Sequence, residues 1–183
     1  MTCSMVVNSK SGNTRMVSGA IKRTLQAAGV EFVHAAALSD DADADQVALE
    51  AQGACAADTV LVGFWCDKGA CTPSVAALLS ALHGKRVFLF GTCGFGASEE
   101  YFRQIIDCVT SNLAEDAELA GWAMCQGKMG PAVKQRYEAM LEQDPENARF
   151  KMLLDNWAAA KDHPTKEDLD NMAAAAKKAV LGE

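Results

Sequence analysis

Short β-type runs alternate with stretches whose apolar residues recur every three or four positions, and this alternation restricts the fold more than any other feature of the chain. Strands joined by helix-length crossovers pair in parallel, and a parallel sheet needs helices over both of its faces. The runs predict strands over residues 3–8, 30–35, 59–64, 86–90 and 119–125. Val17, Ile21 and Leu25 form the apolar stripe of a first helix that starts near Asn13 and stops at Gly29, a residue suited to a left-handed helix end. Val75, Leu78, Leu79 and Leu82 mark another helix, and Phe102, Ile105, Ile106, Val109 and Leu113 a third. Val47 and Leu49 belong to a further helix, whose amino end is the solvated acidic run Asp40, Asp41, Asp43 and Asp45.

Beyond Cys125 the pattern is wholly helical: Pro131 to about Glu142, then Phe150, Leu153, Leu154 and Trp157, then Leu169, Met172, Ala176 and Val180. Thr165 and Asp168 have the spacing of an acidic capping box. Trp122 in a strand and Trp157 on an apolar helical face read as core. With 183 residues and 50% hydrophobic composition, one domain is expected over 1–183, comprising a core over 1–126 and a helical C-terminal extension over 127–183.

A formal charge of −7 argues against nucleic acid as a partner, because neutralising phosphates requires clustered Lys and Arg. No run approaches the roughly 20 apolar residues that span a bilayer, and the amino terminus carries no signal-peptide pattern, so no membrane association and a cytoplasmic location are expected. The seven cysteines show no CxxC pair, which points to reduced thiols rather than a disulfide framework or zinc ribbon. His34, His83 and His163 have neither metal-ligand nor triad spacing.

In a doubly wound sheet the ligand lies beyond the carboxyl ends of the strands, which selects three loops. The first, Ser9, Lys10, Ser11, Gly12, Asn13 and Thr14, leads into a helix and can wrap a monophosphate with backbone N–H and hydroxyl groups; Lys10 faces solvent, and a simple helix cap explains the same residues. It has neither the GxxxxGK[ST] nor the GxGxxG spacing of other phosphate-binding loops. The second contains Phe64, Trp65, Cys66, Asp67, Lys68 and Gly69 and offers a ring for stacking, with strand-end core packing as the other reading, above all for Phe64. The third, Gly91, Thr92, Cys93, Gly94, Phe95 and Gly96, leaves the backbone open to close approach and places one aromatic at its tip. Together the loops select a flat aromatic ligand attached to a phosphate.

Ser-x-Ser-Gly-Asn-Thr after the first strand, Trp65 after the third and Gly91 to Gly96 after the fourth resemble the flavodoxin family over roughly residues 1–126. The resemblance implies an α/β, flavodoxin-like three-layer sandwich whose five-stranded parallel sheet has the order 2-1-3-4-5. It also implies one FMN, with its phosphate at Ser9 to Thr14 and its ring between Trp65 and Phe95, bordered by Asp67, Lys68 and Gly69. Phe95 stands where long-chain members of the family have a tyrosine, and their large insertion in the last strand is missing.

Phe64 to Gly69, Cys125 to Lys128 and Asp162 to Leu169 resemble, more narrowly, the bacterial flavodoxin-like BilS group, accessory to a bilirubin reductase. That likeness implies electron delivery to a partner reductase. An NAD(P)H-dependent FMN reductase acting directly on quinones, and a flavin-free interaction module, are the alternatives. Cys66, Cys71 and Cys93 read as small buried residues rather than a redox pair.

Overall fold

The computed structural model describes residues 1–96 and 98–182. Strands β1 (Thr2–Asn8), β2 (Glu31–Leu38), β3 (Thr59–Trp65), β4 (Arg86–Cys93) and β5 (Glu118–Gln126) form one sheet of order β2-β1-β3-β4-β5, with every neighbouring pair parallel. The helices between them are α1 (Asn13–Ala27), α2 (Ala44–Ala54), α3 (Pro73–Ser80) and α4 (Glu99–Thr110). After β5 come α5 (Pro131–Gln143), α6 (Ala148–Ala160) and α7 (Lys166–Leu181).

Strand periodicity divides the core into two layers. Val60, Val62 and Phe64 of β3 face α2, α3 and α4, where they meet Val47, Val75, Leu78, Phe102 and Ile105. Leu61 between them faces the other way, onto a cluster that joins Val17, Ile21 and Leu25 of α1 to Met172, Ala173, Ala176 and Val180 of α7. The sheet is therefore covered on both faces, as the alternation in the sequence requires.

Two strands run further than the sequence predicts. The end of β2 is Ala35 to Leu38, residues of weak strand propensity that pair in register with Met5 to Asn8. β4 likewise runs on through Gly91, Thr92 and Cys93, which pair with Phe64 and Trp65 on one side and Met124 to Gln126 on the other. The glycine of that segment accommodates a ring: a Cβ on Gly91 would lie 2.7 Å from the end of Phe64. Leu82 lies just past α3 yet is wholly buried, whereas Leu49 on α2 is 65% exposed. Asp43 caps α2 through a capping box with Gln46, and Thr165 caps α7 in the same way with Asp168, as its spacing predicts. No helix among the described residues is long and apolar enough to cross a membrane.

Candidate functional site

The carboxyl ends of β1, β3, β4 and β5 open on one cavity of about 410 Å³, a volume in the range of small-molecule sites. Lys10, Ser11 and Asn13 reach it from the first loop, Trp65, Cys66, Lys68 and Gly69 from the second, and Thr92, Cys93, Gly94 and Phe95 from the third. A larger furrow of about 900 Å³ runs beside β2 and α1 and is lined by Met5, Val7, Leu38, alanines and polar side chains, but it has no aromatic ring and receives nothing from β3 or β4. The smaller cavity is the one at the strand ends where a doubly wound sheet binds its ligand.

The floor at the first loop is built from backbone. Gly12 is the N-cap of α1 with φ +91°, a left-handed conformation, and it has no side chain to cap the helix. The first turn of α1 thus leaves the N–H groups of Asn13 and Thr14 without a side-chain cap, which suits an anion. Ser9 Oγ accepts from the N–H of Arg15 at 3.2 Å, and Ser11 Oγ accepts from Asn13 Nδ2 at 3.1 Å. Asn13 also donates to the carbonyl of Lys128 at 2.9 Å, while its Oδ1 is buried without a partner. The Thr14 hydroxyl is turned inward, 2.9 Å from that of Thr92, leaving Thr14 only its N–H to offer a ligand.

Phe64 and Trp65 have opposite fates, as strand parity dictates. Phe64 is wholly buried in the layer beneath α3 and α4 and does not line the cavity. Trp65 is half-buried and stands at the cavity wall, where its indole N–H donates to Asp40 Oδ1 at 2.8 Å. The same carboxylate oxygen accepts from Asn8 Nδ2 at 2.8 Å. Asn8 also donates to the carbonyl of Leu38 and accepts from the Thr72 hydroxyl, so it ties together the ends of β1 and β2 and the start of α3. Asp40 is thus part of the site's framework and not only the solvated run that the sequence predicts. The Lys10 ammonium is 4.0 Å from Asp40 and 4.7 Å from the centre of the Trp65 ring, so it lies over that ring while its side chain stays exposed to solvent, as expected.

Beyond Trp65 the chain makes a tight turn in which Asp67 and Ala70 exchange backbone hydrogen bonds of 2.9 and 3.1 Å. Lys68 and Gly69 at its centre have φ of 52° and 87°, the signature of a type I′ turn. Lys68 is exposed at the tip, and Asp67 does not line the cavity.

The third loop is held from outside. Asn156 of α6 accepts from the N–H of Gly96 and donates to the carbonyl of Gly94, both at 2.9 Å, and Gln126 Nε2 approaches the same two oxygen acceptors at 3.3 and 3.4 Å. The Gly96 N–H is therefore already taken, and Gly96 does not line the cavity. Phe95 packs edge-on against Tyr101, with ring centres 6.0 Å apart.

Cys66 and Cys93 meet across the ends of β3 and β4, where Cys66 N–H donates to the carbonyl of Thr92 at 2.9 Å and the two thiols hydrogen-bond. Hydrogen bonds from Cys66, the Phe95 backbone and the Tyr101 hydroxyl pull the Cys93 thiol down to about 7 against the opposing effect of burial. Cys66 is pushed up in return, first by that shared hydrogen bond and then by burial. Burial, and next the charge of Cys93, push Tyr101 up to about 12. Cys71 lies apart, packed against the core, and burial pushes it up to about 11.

Several residues at the cavity were not placed at the site by the sequence: Tyr101, and Gly127 to Gly130 with Val133, Arg136 and Tyr137 of α5, of which Gly127 and Lys128 entered only through the BilS-group likeness. The signal was there in part, because the segment after β5 leaves the same sheet edge and carries two glycines ahead of Pro131. His34, His83 and His163 pair with Glu50, Asp116 and Asp168, and no group able to hold a metal ion occurs among the described residues.

The flavodoxin-like BilS protein of Clostridium symbiosum is 34% identical over 176 residues, covering 92% of this chain and 90% of that one. Its namesake from Clostridioides difficile is 32% identical over 124 residues, covering 68% and 70%. Oxidised flavodoxin 2 from Bacillus cereus superposes with a TM-score of 0.53 over 99% of both chains at 16% identity, which shows the shared fold. FMN is the cofactor that the flavodoxin domain implies. With a family model described as Flavodoxin domain matching residues 4–177, the chain belongs to the flavodoxin family.

Proposed function

We propose that the chain binds one FMN in the cavity at the strand ends and delivers electrons to a partner reductase. The observation that carries this reading is the meeting, in one cavity, of a helix N-terminus whose first two N–H groups lack a side-chain cap and an anchored tryptophan ring. A phosphate at the first and a flat ring at the second have the separation of function that FMN needs. The residues present fit the group: the orphaned Oδ1 of Asn13 is a free acceptor for a hydroxyl of the ligand's chain, and a Cβ on Gly12 or Gly69 would meet nothing within 4 Å.

In this reading the N–H groups of Asn13 and Thr14 and the hydroxyls of Ser9 and Ser11 hold the phosphate. Trp65 and Phe95 cover the two ring faces. Stacking on Trp65 displaces the Lys10 ammonium from the indole, which frees that cation to turn toward the phosphate. Asp40 keeps the indole in one orientation throughout. Cys66, Lys68 and Gly69 border the ring edge, and the Lys68 ammonium favours negative charge there. Bound FMN supplies the one- or two-electron chemistry, and the protein sets its potential by stacking and charge. The resemblance to the BilS group makes a bilirubin reductase the partner to assay.

Titration of FMN into the purified protein tests the reading. Quenching of flavin fluorescence at one equivalent is expected, with Asp40→Ala weakening binding by about fivefold, or about 1 kcal/mol. Absence of quenching would leave the flavin-free interaction module as the reading. Rapid reduction of the loaded protein by NADH or NADPH alone would favour the direct FMN reductase over the carrier.

A further inference from the structure

The cavity has a charge opposite to that of the protein around it. The chain carries a formal charge of −7, yet no carboxylate lines the cavity, while Lys68, Lys128 and Arg136 do, from three different segments. All three residues are exposed, and among the described residues none of them pairs with a carboxylate. The neighbouring cations differ: Lys134 on α5 is bound to Glu138 at 3.0 Å, and Lys10 is held by Asp40 and Trp65. Asp67 is adjacent to Lys68 but does not line the cavity, and its backbone is locked in the type I′ turn that carries the lysine. Half-buried Met129 and Val133 line the same cavity as the cations.

We infer that Lys68, Lys128 and Arg136 form a cationic docking lip around the cavity mouth for the carboxylate-rich face of an acidic redox partner. Weak redox encounters bury little area and depend on charge for orientation and speed. The net charge of −7 would draw a basic partner toward the molecule as a whole, but such a partner would meet like charge at the cavity mouth. An acidic partner is repelled elsewhere and accepted here, so the lip selects the orientation that brings its redox centre to the cavity. The aliphatic patch of Met129 and Val133 supplies a dry centre for the contact.

This inference rests on the FMN reading only for the purpose of docking, and its test separates the two. A fluorescein-labelled short polyglutamate peptide is titrated into the FMN-loaded protein, loading being confirmed beforehand by flavin absorbance. Anisotropy is expected to report binding at about 20 mM salt that weakens at least tenfold by about 200 mM. Arg136→Glu and Lys68→Glu are each expected to weaken it at least fivefold, whereas Arg23→Glu on the exposed face of α1 leaves it within twofold of the native value. Arg136→Gln and Lys68→Gln, which remove charge without adding any, give smaller losses in the same direction and stand in if a reversal unfolds the protein.

A second readout is oxidation of the dithionite-reduced protein by ferricyanide, each ion taking one electron. Its rate is expected to fall as salt rises, the opposite of what the net charge dictates. No polyglutamate binding, binding unaltered by both lip variants, or a ferricyanide rate that rises with salt would each overturn the lip. Failure of FMN to load would instead overturn the flavin reading and leave the peptide titration of the unloaded protein to decide the lip.

Discussion

Helix α7 and the α5–α6 hairpin follow β5 in one continuous helical stretch, yet they are attached to the sheet in opposite ways. α7 buries Met172, Ala173, Ala176 and Val180 in the cluster shared with α1, β1, β3 and β4, and so completes one layer of the sandwich. The hairpin buries only Tyr137 and Ala160. Polar contacts at the rim of the cavity hold it: Asn156 to Gly94 and Gly96, Trp157 Nε1 to the carbonyl of Gly130 at 3.4 Å, and Arg136 and Tyr137 at the cavity wall. Apolar burial fixes a helix by area, and it tolerates neither a cavity nor a charge. Rim hydrogen bonds contribute less stability but control geometry. The comparison assigns α7 to the fold and the hairpin to the site, although the sequence expectation groups both in the extension over 127–183.

The largest effect should come from testing both attachments with the same chemistry. Met172→Ala removes a buried side chain and is expected to cost about 3 kcal/mol in urea unfolding. Leu153→Ala, on the half-buried face of α6, is expected to cost about 1 kcal/mol. Equal losses would show that the hairpin is as much a part of the core as α7, and the distinction would fail.

Asn156→Ala sharpens the comparison from the other side. It removes the acceptor for the Gly96 N–H and the donor to the Gly94 carbonyl, so the loop that carries Phe95 loses its outer support. The stability cost should be about 1 kcal/mol, since the contacts are partly buried and water can replace them. FMN affinity should fall about tenfold, because the ring must then order the loop itself. A fluorescence titration alongside urea unfolding separates the two quantities. A loss of stability with unchanged FMN affinity would make Asn156 a purely structural residue.

Neither contact class was equally legible in the sequence. The strands, α1, α4 and the Thr165–Asp168 capping box followed from local period and spacing, because a buried face declares itself within one helix or strand, whereas the capping box of Asp43 with Gln46 emerged only in the structure. The sequence placed both Phe64 and Trp65 at the site, and the structure separates them, since Phe64 shares a buried face with Val60 and Val62 while Trp65 stands at the strand end. What stayed hidden is non-local. Asp40 meets Trp65 across 25 residues and Asn156 meets Gly96 across 60, and no periodicity links such partners. Cys66 and Cys93 became neighbours only through the register that sets Trp65 beside Thr92. The Ala-rich end of β2 was hidden for a different reason, since its strand conformation comes from pairing with β1 and not from its own residues.

The smallest effect tests whether the hairpin's grip on the third loop reaches the thiol pair. Cys93 is pulled down to about 7 from the ordinary thiol value of 9.0 by Cys66, the Phe95 backbone and Tyr101, and the last two belong to or follow the loop that Asn156 clamps. A depressed thiol pKa in the folded state adds stability above the unfolded value and loses it as pH falls through the folded one. The contribution of Cys93 is therefore present above pH 9.0 and decays toward pH 7. Cys66, raised by the same hydrogen bond, remains stabilising at low pH and gives that up at high pH, so the two oppose each other in stability. Thiolate chemistry does not cancel. Alkylation of Cys93 by iodoacetamide, followed by mass spectrometry in a Cys108→Ser background, is expected to rise with a midpoint near pH 7. In Asn156→Ala the midpoint should move up toward the ordinary thiol value as the Phe95 and Tyr101 contacts loosen. An unmoved midpoint would mean that the clamp stops at Gly94 and that β3 and β4 alone hold the thiols.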